Sequence, residues 1–326
     1  MFSNRRTLSL GKTELIPSFF VLKGIPGLED VHIWISIPFS LMYVITVIAN
    51  CLILFIIKTE ARLHQPMYVL LSVLAGIDLA LSTSSLPKAI GIFWFKLEEI
   101  RFDVCLLQMF LIQYLGSIES GILTLMALDR YIAVCNPLRY TAILTNTLLA
   151  KMVVIVLMRS AVLVSPVPIL LKRLPFCNSN VIHHTYCEHM SVAKLACADI
   201  TVNFVYGLSV SLFIGGIDVP LIALSYALIL RSVMNLSSKD TRAKAFSTCT
   251  AHVCVIAVFY TPFLFSVFIQ RFKNKVAPSV QITVANIYLL VPPMVNPIIY
   301  GVKTKQIQER ILKMVCRGKV TSDQKN

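Results

Sequence analysis

Seven long apolar stretches constrain this chain more than any motif does. In hydrocarbon, a segment of about 20 largely apolar residues satisfies its backbone amides only by coiling into a helix. The stretches run from Ile33 to Ile57, Met67 to Phe93, Phe102 to Val134, Leu148 to Leu171, Phe204 to Leu230, Ala245 to Ile269 and Val280 to Val302. Only 14% of the 326 residues are charged and 56% are hydrophobic, whereas a soluble domain carries roughly a quarter charged residues. The expected architecture is an all-α membrane protein: a seven-transmembrane helix bundle over residues 31–303, an extracellular N-terminal tail over 1–30, and a cytoplasmic segment over 304–326. In that last segment Ile307, Ile311, Leu312 and Val315 fall on one side of a helix and Lys305, Glu309 and Lys313 on the other. A short amphipathic helix from Thr304 to Cys316 should therefore lie along the membrane surface.

The net charge of +14 raises the question of nucleic acid. Lys and Arg fall mainly in short segments between the apolar runs, as flanks of membrane helices do, so the cationic partner surface is lipid and not nucleic acid. Glu29 and Asp30 precede the first span while Lys58 and Arg62 follow it, which places the N-terminus outside a plasma membrane. An odd number of spans puts the C-terminus inside, where Lys303, Lys305, Arg310, Lys313, Arg317, Lys319 and Lys325 meet the anionic leaflet. No apolar core in the first 30 residues is long enough for a cleavable leader, so the first span serves as the insertion signal. No repeat maps one half on the other, as many transporters would show. No Ser-His-Asp elbow, phosphate loop or HExxH occurs, so neither an enzyme nor a cofactor is expected.

Ionisable groups at membrane depth cost a few kcal/mol or more, yet Asp78, Glu119, Arg159 and Asp218 lie within spans, as do Asn50, Asn286 and Asn296. Each reads either as packing glue between helices or as functional. Asp78, Glu119 and Asn296, with Asn50 nearby, form a candidate polar core that could share a water-filled or cation-binding cavity. Met109, Ile112, Gln113, Gly116 and Ser117 recur at three- and four-residue intervals and so share one face of the third span. With Ser211 in the fifth span and Ser266, Val267 and Arg271 closing the sixth, they outline a small apolar chamber with few polar handles. Tyr260, two residues before Pro262, reads as a relay beneath that chamber or as a buried aromatic with one hydrogen bond. Pro262, Pro292, Pro293 and Pro297 remove backbone donors and mark where the last two spans can bend.

The string MALDRYIAVCNPLRY, Met126 to Tyr140, resembles the olfactory receptor signature. It is joined in order by Pro66-Met67-Tyr68, Ser225-Tyr226, KAFSTCTAH from Lys244 to His252, and PMVNPIIY from Pro293 to Tyr300, so the resemblance covers about Phe19 to Lys305. The string CEHMSVAKLACADITVN, with Cys177, Cys187 and Cys197 in a long connection, is similar to class I (fish-like) olfactory receptors within the rhodopsin-like G-protein-coupled receptors. The chain departs from the family in having Ala49-Asn50 where Gly-Asn is usual. Its N-terminal tail also lacks a glycosylation sequon; the sole one, Asn235-Leu236-Ser237, falls on the expected cytoplasmic side.

The resemblance implies an odorant receptor that binds a small polar or acidic odorant in the outer half of the bundle. It also implies activation of a heterotrimeric G protein of the stimulatory, olfactory type, which raises cyclic AMP. Arg130 would help to form the docking surface once released from an ion pair with Asp129 beside it, with Tyr131 completing the motif and Tyr226 and Tyr300 swinging inward. Arg271 resembles a carboxylate counter-ion, although Lys273 and Lys275 follow it and leave a solvated basic loop as the other reading. Gln113 stands where several relatives have His. The family implies a Cys105–Cys187 disulfide and leaves Cys177–Cys197 as the second; spacing alone admits three pairings. His183, His184, Cys187, Glu188 and His189 have metal-ligand chemistry, but a sulfur in a disulfide is no thiolate, so loop packing and no metal is expected. Cys316 is a candidate for palmitoylation. Two other functions remain open: a chemoreceptor of the same fold outside the nose, and a channel or transporter that would carry flux without a G protein.

Overall fold

The structure, a computed structural model, describes residues 17–28, 31–177, 179–235, 239–271 and 276–323. A short strand β1 (Phe19–Leu22) precedes α1 (His32–Thr59) and α2 (Pro66–Phe95); strand β2 (Glu99–Arg101) then leads into α3 (Phe102–Cys135). After the small helix α4 (Tyr140–Ile143) come α5 (Asn146–Val164) and α6 (Pro166–Lys172), strand β3 (Val181–Ile182) and α7 (His189–Ala193). The chain closes with α8 (Thr201–Met234), α9 (Lys239–Arg271), α10 (Pro278–Lys303) and α11 (Lys305–Asp323). Among the described residues, seven helical segments are long and apolar enough to cross a membrane, with α5 and α6 together forming the fourth. Large apolar side chains cover their outward faces; Trp34, for instance, is 72% exposed, which suits a lipid surface and not water.

The fourth span, expected from Leu148 to Leu171, runs from Asn146 to Lys172, with α5 giving way to α6 at Ser165, which keeps helical dihedrals. Pro166 has no N–H to continue the ladder, and it fits the first turn of a new helix, where that donor is not needed. The prolines of α10 are handled differently. Pro297 leaves the carbonyl of Pro293, four residues back, without its helical donor, and the side-chain amide of Asn50 donates to that oxygen at 2.9 Å. A polar residue of α1 thus repairs a defect in α10, as membrane helices require.

Residues 19–22 fall in the segment expected to be a tail, yet they form the centre of a three-stranded sheet ordered β2-β1-β3. β1 runs antiparallel to β2 and parallel to β3, with Phe20 opposite Ile100 and Leu22 opposite Ile182. The alternation in Phe-Phe-Val-Leu explains the strand: Phe20 and Leu22 point inward and are fully buried, while Phe19 faces out. Phe20 packs on Phe102 and Phe176, with ring centroids 5.6 and 5.7 Å away. At the opposite end of the bundle α11 begins where expected but extends to Asp323, beyond Cys316. It is tied down by buried Ile307 and by the Tyr68 hydroxyl, which donates to Gln306 at 3.0 Å.

Candidate functional site

The connection between α6 and α8 folds down over the bundle as a lid. Cys187 is bonded to Cys105 in the first turn of α3, with Cα atoms 5.5 Å apart, and Cys177 to Cys197, with Cα atoms 5.9 Å apart. Gln108 holds the lid from below: its amide oxygen accepts from the Cys187 backbone N–H at 3.0 Å and its NH2 donates to the Ser84 carbonyl at 2.9 Å. On the far side the Thr185 hydroxyl donates to Asn286 of α10 at 2.7 Å. That bond gives the intramembrane Asn286 a structural task.

The histidine and acid of the lid are used within it. Glu188 caps α7, accepting from the backbone N–H groups of Met190 and Ser191 at 3.0 and 2.6 Å and from the Ser191 hydroxyl at 2.8 Å. Burial pushes its carboxyl up, but the adjacent His184 side chain and these three donors outweigh that and hold it below the usual carboxylate range. His184 is itself held down to about 4, chiefly by burial and further by the charge of Lys194, against the opposing pull of Glu188. Its Nδ1 accepts from the Thr185 N–H at 3.0 Å, which requires the neutral ring. No group of three metal-ligating side chains is placed to hold an ion among the described residues.

Beneath the lid lies a cavity of about 270 Å³. Met109, Ile112, Gln113, Gly116, Ser117, Ser211, Tyr260 and Ser266 all line it, so the face chosen on α3 does look inward. The side chains of Val267 and Arg271 lie outside the described residues. Two of the expected polar handles are already engaged: Ser117 donates to Ser160 at 2.8 Å and Ser211 to the Gly207 carbonyl at 3.0 Å. Sequence reasoning missed Tyr288, whose hydroxyl would be 3.2 Å from a Cβ placed on Gly116. It also missed the lid's contribution, including His184, Tyr186, His189 and Lys194. One signal was present: Cys105 stands one turn before Met109 on the same face, so a bridge from it carries the loop across the chamber.

The floor of the cavity is a polar chain that joins four helices. Ser120 of α3 donates to Asp218 of α8 at 2.6 Å, so the 2.8 Å contact between Ser120 and Tyr260 of α9 is a bond donated by the tyrosine. Arg159 of α5 clamps the same carboxylate through Nη1–Oδ1 at 2.6 Å and Nη2–Oδ2 at 3.0 Å. The two charges flagged separately in the sequence are therefore one bidentate pair. Gly121 admits the guanidinium: a Cβ there would come within 2.5 Å of Val156 and 3.1 Å of Arg159. Deeper still, the Asn296 amide donates to both oxygens of Asp78 at 3.2 Å and to Glu119 at 3.3 Å, so these three residues meet, while the Asn50 amide donates to the Thr46 and Pro293 carbonyls instead.

A family model for olfactory receptors matches residues 39–318. The chain belongs to the olfactory receptor family. Human olfactory receptor 52N4 is 52% identical over 315 residues, covering 96% of this chain and 98% of the relative. Human olfactory receptor 51E2 is 51% identical over 295 residues, covering 90% and 92%. These 51 and 52 groups fit class I. Squid rhodopsin shares the fold at 15% identity, with a TM-score of 0.71 over 89% of this chain and 86% of that one. The receptor is thus a multi-pass membrane protein of the G-protein-coupled kind and not an enzyme.

At the far end of the receptor's bundle the DRY residues depart from expectation. Among the described residues no carboxylate stands within ion-pair distance of Arg130, which contacts the sulfur of Met67 instead. Asp129 accepts from the Tyr140 hydroxyl at 2.6 Å. Adjacent residues on a helix diverge by about 100°, so Asp129 turns to α4 while Arg130 turns inward. Burial, then the Asp129 hydrogen bond, raises the Tyr140 phenol and keeps it protonated as the donor. Tyr226 bonds to Nδ1 of His252 at 2.7 Å across α8 and α9, Tyr300 is buried 4.0 Å from the Met126 sulfur, and Tyr131 packs beside Ile229 and Val233.

Proposed function

We propose that the receptor binds a small, polar or acidic odorant in the lidded cavity and drives a stimulatory, olfactory-type G protein to raise cyclic AMP. The observation that carries this reading is the continuity from cavity to floor: Tyr260 both lines the chamber and donates to Ser120, which holds the Asp218–Arg159 pair. A ligand pressing on Tyr260 acts on α9, and α9 spans from the cavity to His252 and Tyr226 at the other end. Such a helix is the two-state element that coupling between distant sites needs.

On this reading the lid end faces outward and α11 lies at the cytoplasm. Arg130, with no carboxylate within ion-pair distance among the described residues, forms the docking surface with Tyr131, Tyr226 and Tyr300, while Asp129 is kept occupied by Tyr140. Asp78, Glu119, Asn296 and Asn50 form the polar core between the two ends. Arg271, at the last residue of α9, is a candidate counter-ion for an acid. The test is a cyclic AMP reporter in cells expressing the full chain, challenged with short-chain acids, alcohols and aldehydes. A response that disappears when the G protein α-subunit is deleted supports the reading; ligand-gated current persisting without it would sink it.

A further inference from the structure

Arg130 is 8% exposed and, among the described residues, has no carboxylate within ion-pair distance. A guanidinium carries five N–H donors and no acceptor. The acceptor it meets here is the thioether sulfur of Met67, at the second position of α2, and a thioether accepts only weakly. We propose that Met67 is a reversible oxidation site whose sulfoxide oxygen takes hold of Arg130 and so lowers coupling to the G protein. The effect on coupling rests on the docking surface assigned above; the oxidation and the bond to Arg130 do not.

The surroundings single out this sulfur. Met67 is half-buried and follows closely on the exposed His64 and Gln65, so a small hydroperoxide reaches it from the end of the bundle that carries α11. Met126, whose sulfur lies 4.0 Å from the Tyr300 hydroxyl at the same end, is only 2% exposed and is shielded. Met234 and Met158 are 61% and 59% exposed, but among the described residues neither bonds to Arg130. In the reaction the sulfur lone pair attacks one peroxide oxygen. The S–O bond forms, the O–O bond breaks, and water leaves with the proton of the transferred hydroxyl; sulfur is oxidised by two electrons and the peroxide reduced. The product is a polar side chain that methionine sulfoxide reductases return to methionine. Its oxygen replaces a weak acceptor with a strong one beside a cation, the arrangement that strengthens a hydrogen bond most.

The test reads Arg130 directly, through its rate of modification by phenylglyoxal in the purified full-length receptor held in lipid nanodiscs. Hydrogen peroxide should add one oxygen to Met67 and none to Met126, as peptide masses will show, and should slow the Arg130 reaction about tenfold. Methionine sulfoxide reductase should restore the rate. Met67→Gln, which brings an amide oxygen to the same place, should be slow without peroxide. Met67→Leu should show no peroxide effect, and Met234→Leu should keep it. The site is overturned if Met67 stays unmodified while Met234 gains oxygen. It is equally overturned if oxidised Met67 leaves the Arg130 rate unchanged, or if Met67→Leu responds to peroxide as wild type does. Nucleotide exchange on a purified stimulatory G protein is measured alongside. Slowed Arg130 with undiminished exchange would sink the coupling role of Arg130 and leave the oxidation site standing.

Discussion

Arg159 and Asp218 face each other at membrane depth as a two-pronged ion pair, with the carboxylate only 2% exposed and the guanidinium 20%. At that depth each charge is tolerable because of the other. Removing one partner strands the second. Arg159→Met or Asp218→Leu alone should each destabilise the receptor by about 3–5 kcal/mol, and the double variant should be less damaged than either single one. Thermal unfolding of the three purified variants checks this. A double variant as unstable as the sum of the singles would show that the pair is not coupled.

The close approach of α3 and α5 predicts a contrast between two glycines. Gly121→Ala would place a methyl 2.5 Å from Val156 and should cost about 1–3 kcal/mol. Gly216, with nothing within 4 Å of its built Cβ, should accept alanine within about 1 kcal/mol of the parent. Surface expression and melting temperature, measured side by side, are sufficient.

The lid should be sensitive to acid. The ordinary value for His184 is 6.5 and burial lowers it to about 4 in the fold, so the unfolded chain binds more protons between these values. Stability contributed by the neutral ring is fully present above about pH 6.5 and is lost as pH falls toward 4. Glu188, also lowered, acts in the same direction below its ordinary 4.5. Thermal stability of wild type should therefore fall between pH 6.5 and 4. Replacing His184 by Asn, which keeps an acceptor but does not titrate, should flatten that fall.

Tyr260 offers a way to separate binding from response. Tyr260→Phe keeps the aromatic wall but deletes the hydrogen bond donated to Ser120, worth about 1 kcal/mol. Odorant binding should hold while the maximal cyclic AMP response falls. Loss of binding with an unchanged maximum would place Tyr260 in ligand contact only.

The helices were legible because hydrocarbon imposes one solution on a long apolar segment, and the cavity face of α3 because Met109, Ile112 and Gly116 keep the helical interval. The Asp129–Arg130 pair was misread for the opposite reason. Adjacency in the chain brings two backbones together but points two helical side chains apart, and what Asp129 bonds depends on where Tyr140 arrives in space.

Taken alone, the amino-acid sequence determined the number of spans, their approximate limits, the family signature and the inventory of buried polar groups, since all follow from local composition and periodicity. Only the tertiary structure decided which of those groups meet: Arg159 with Asp218, Asn50 with the carbonyl that Pro297 left open, β1 with two distant strands, and the lid's Lys194 with the cavity. Such pairings join residues tens to hundreds of positions apart, and their partners are chosen by helix packing and by the need to satisfy every polar group away from water.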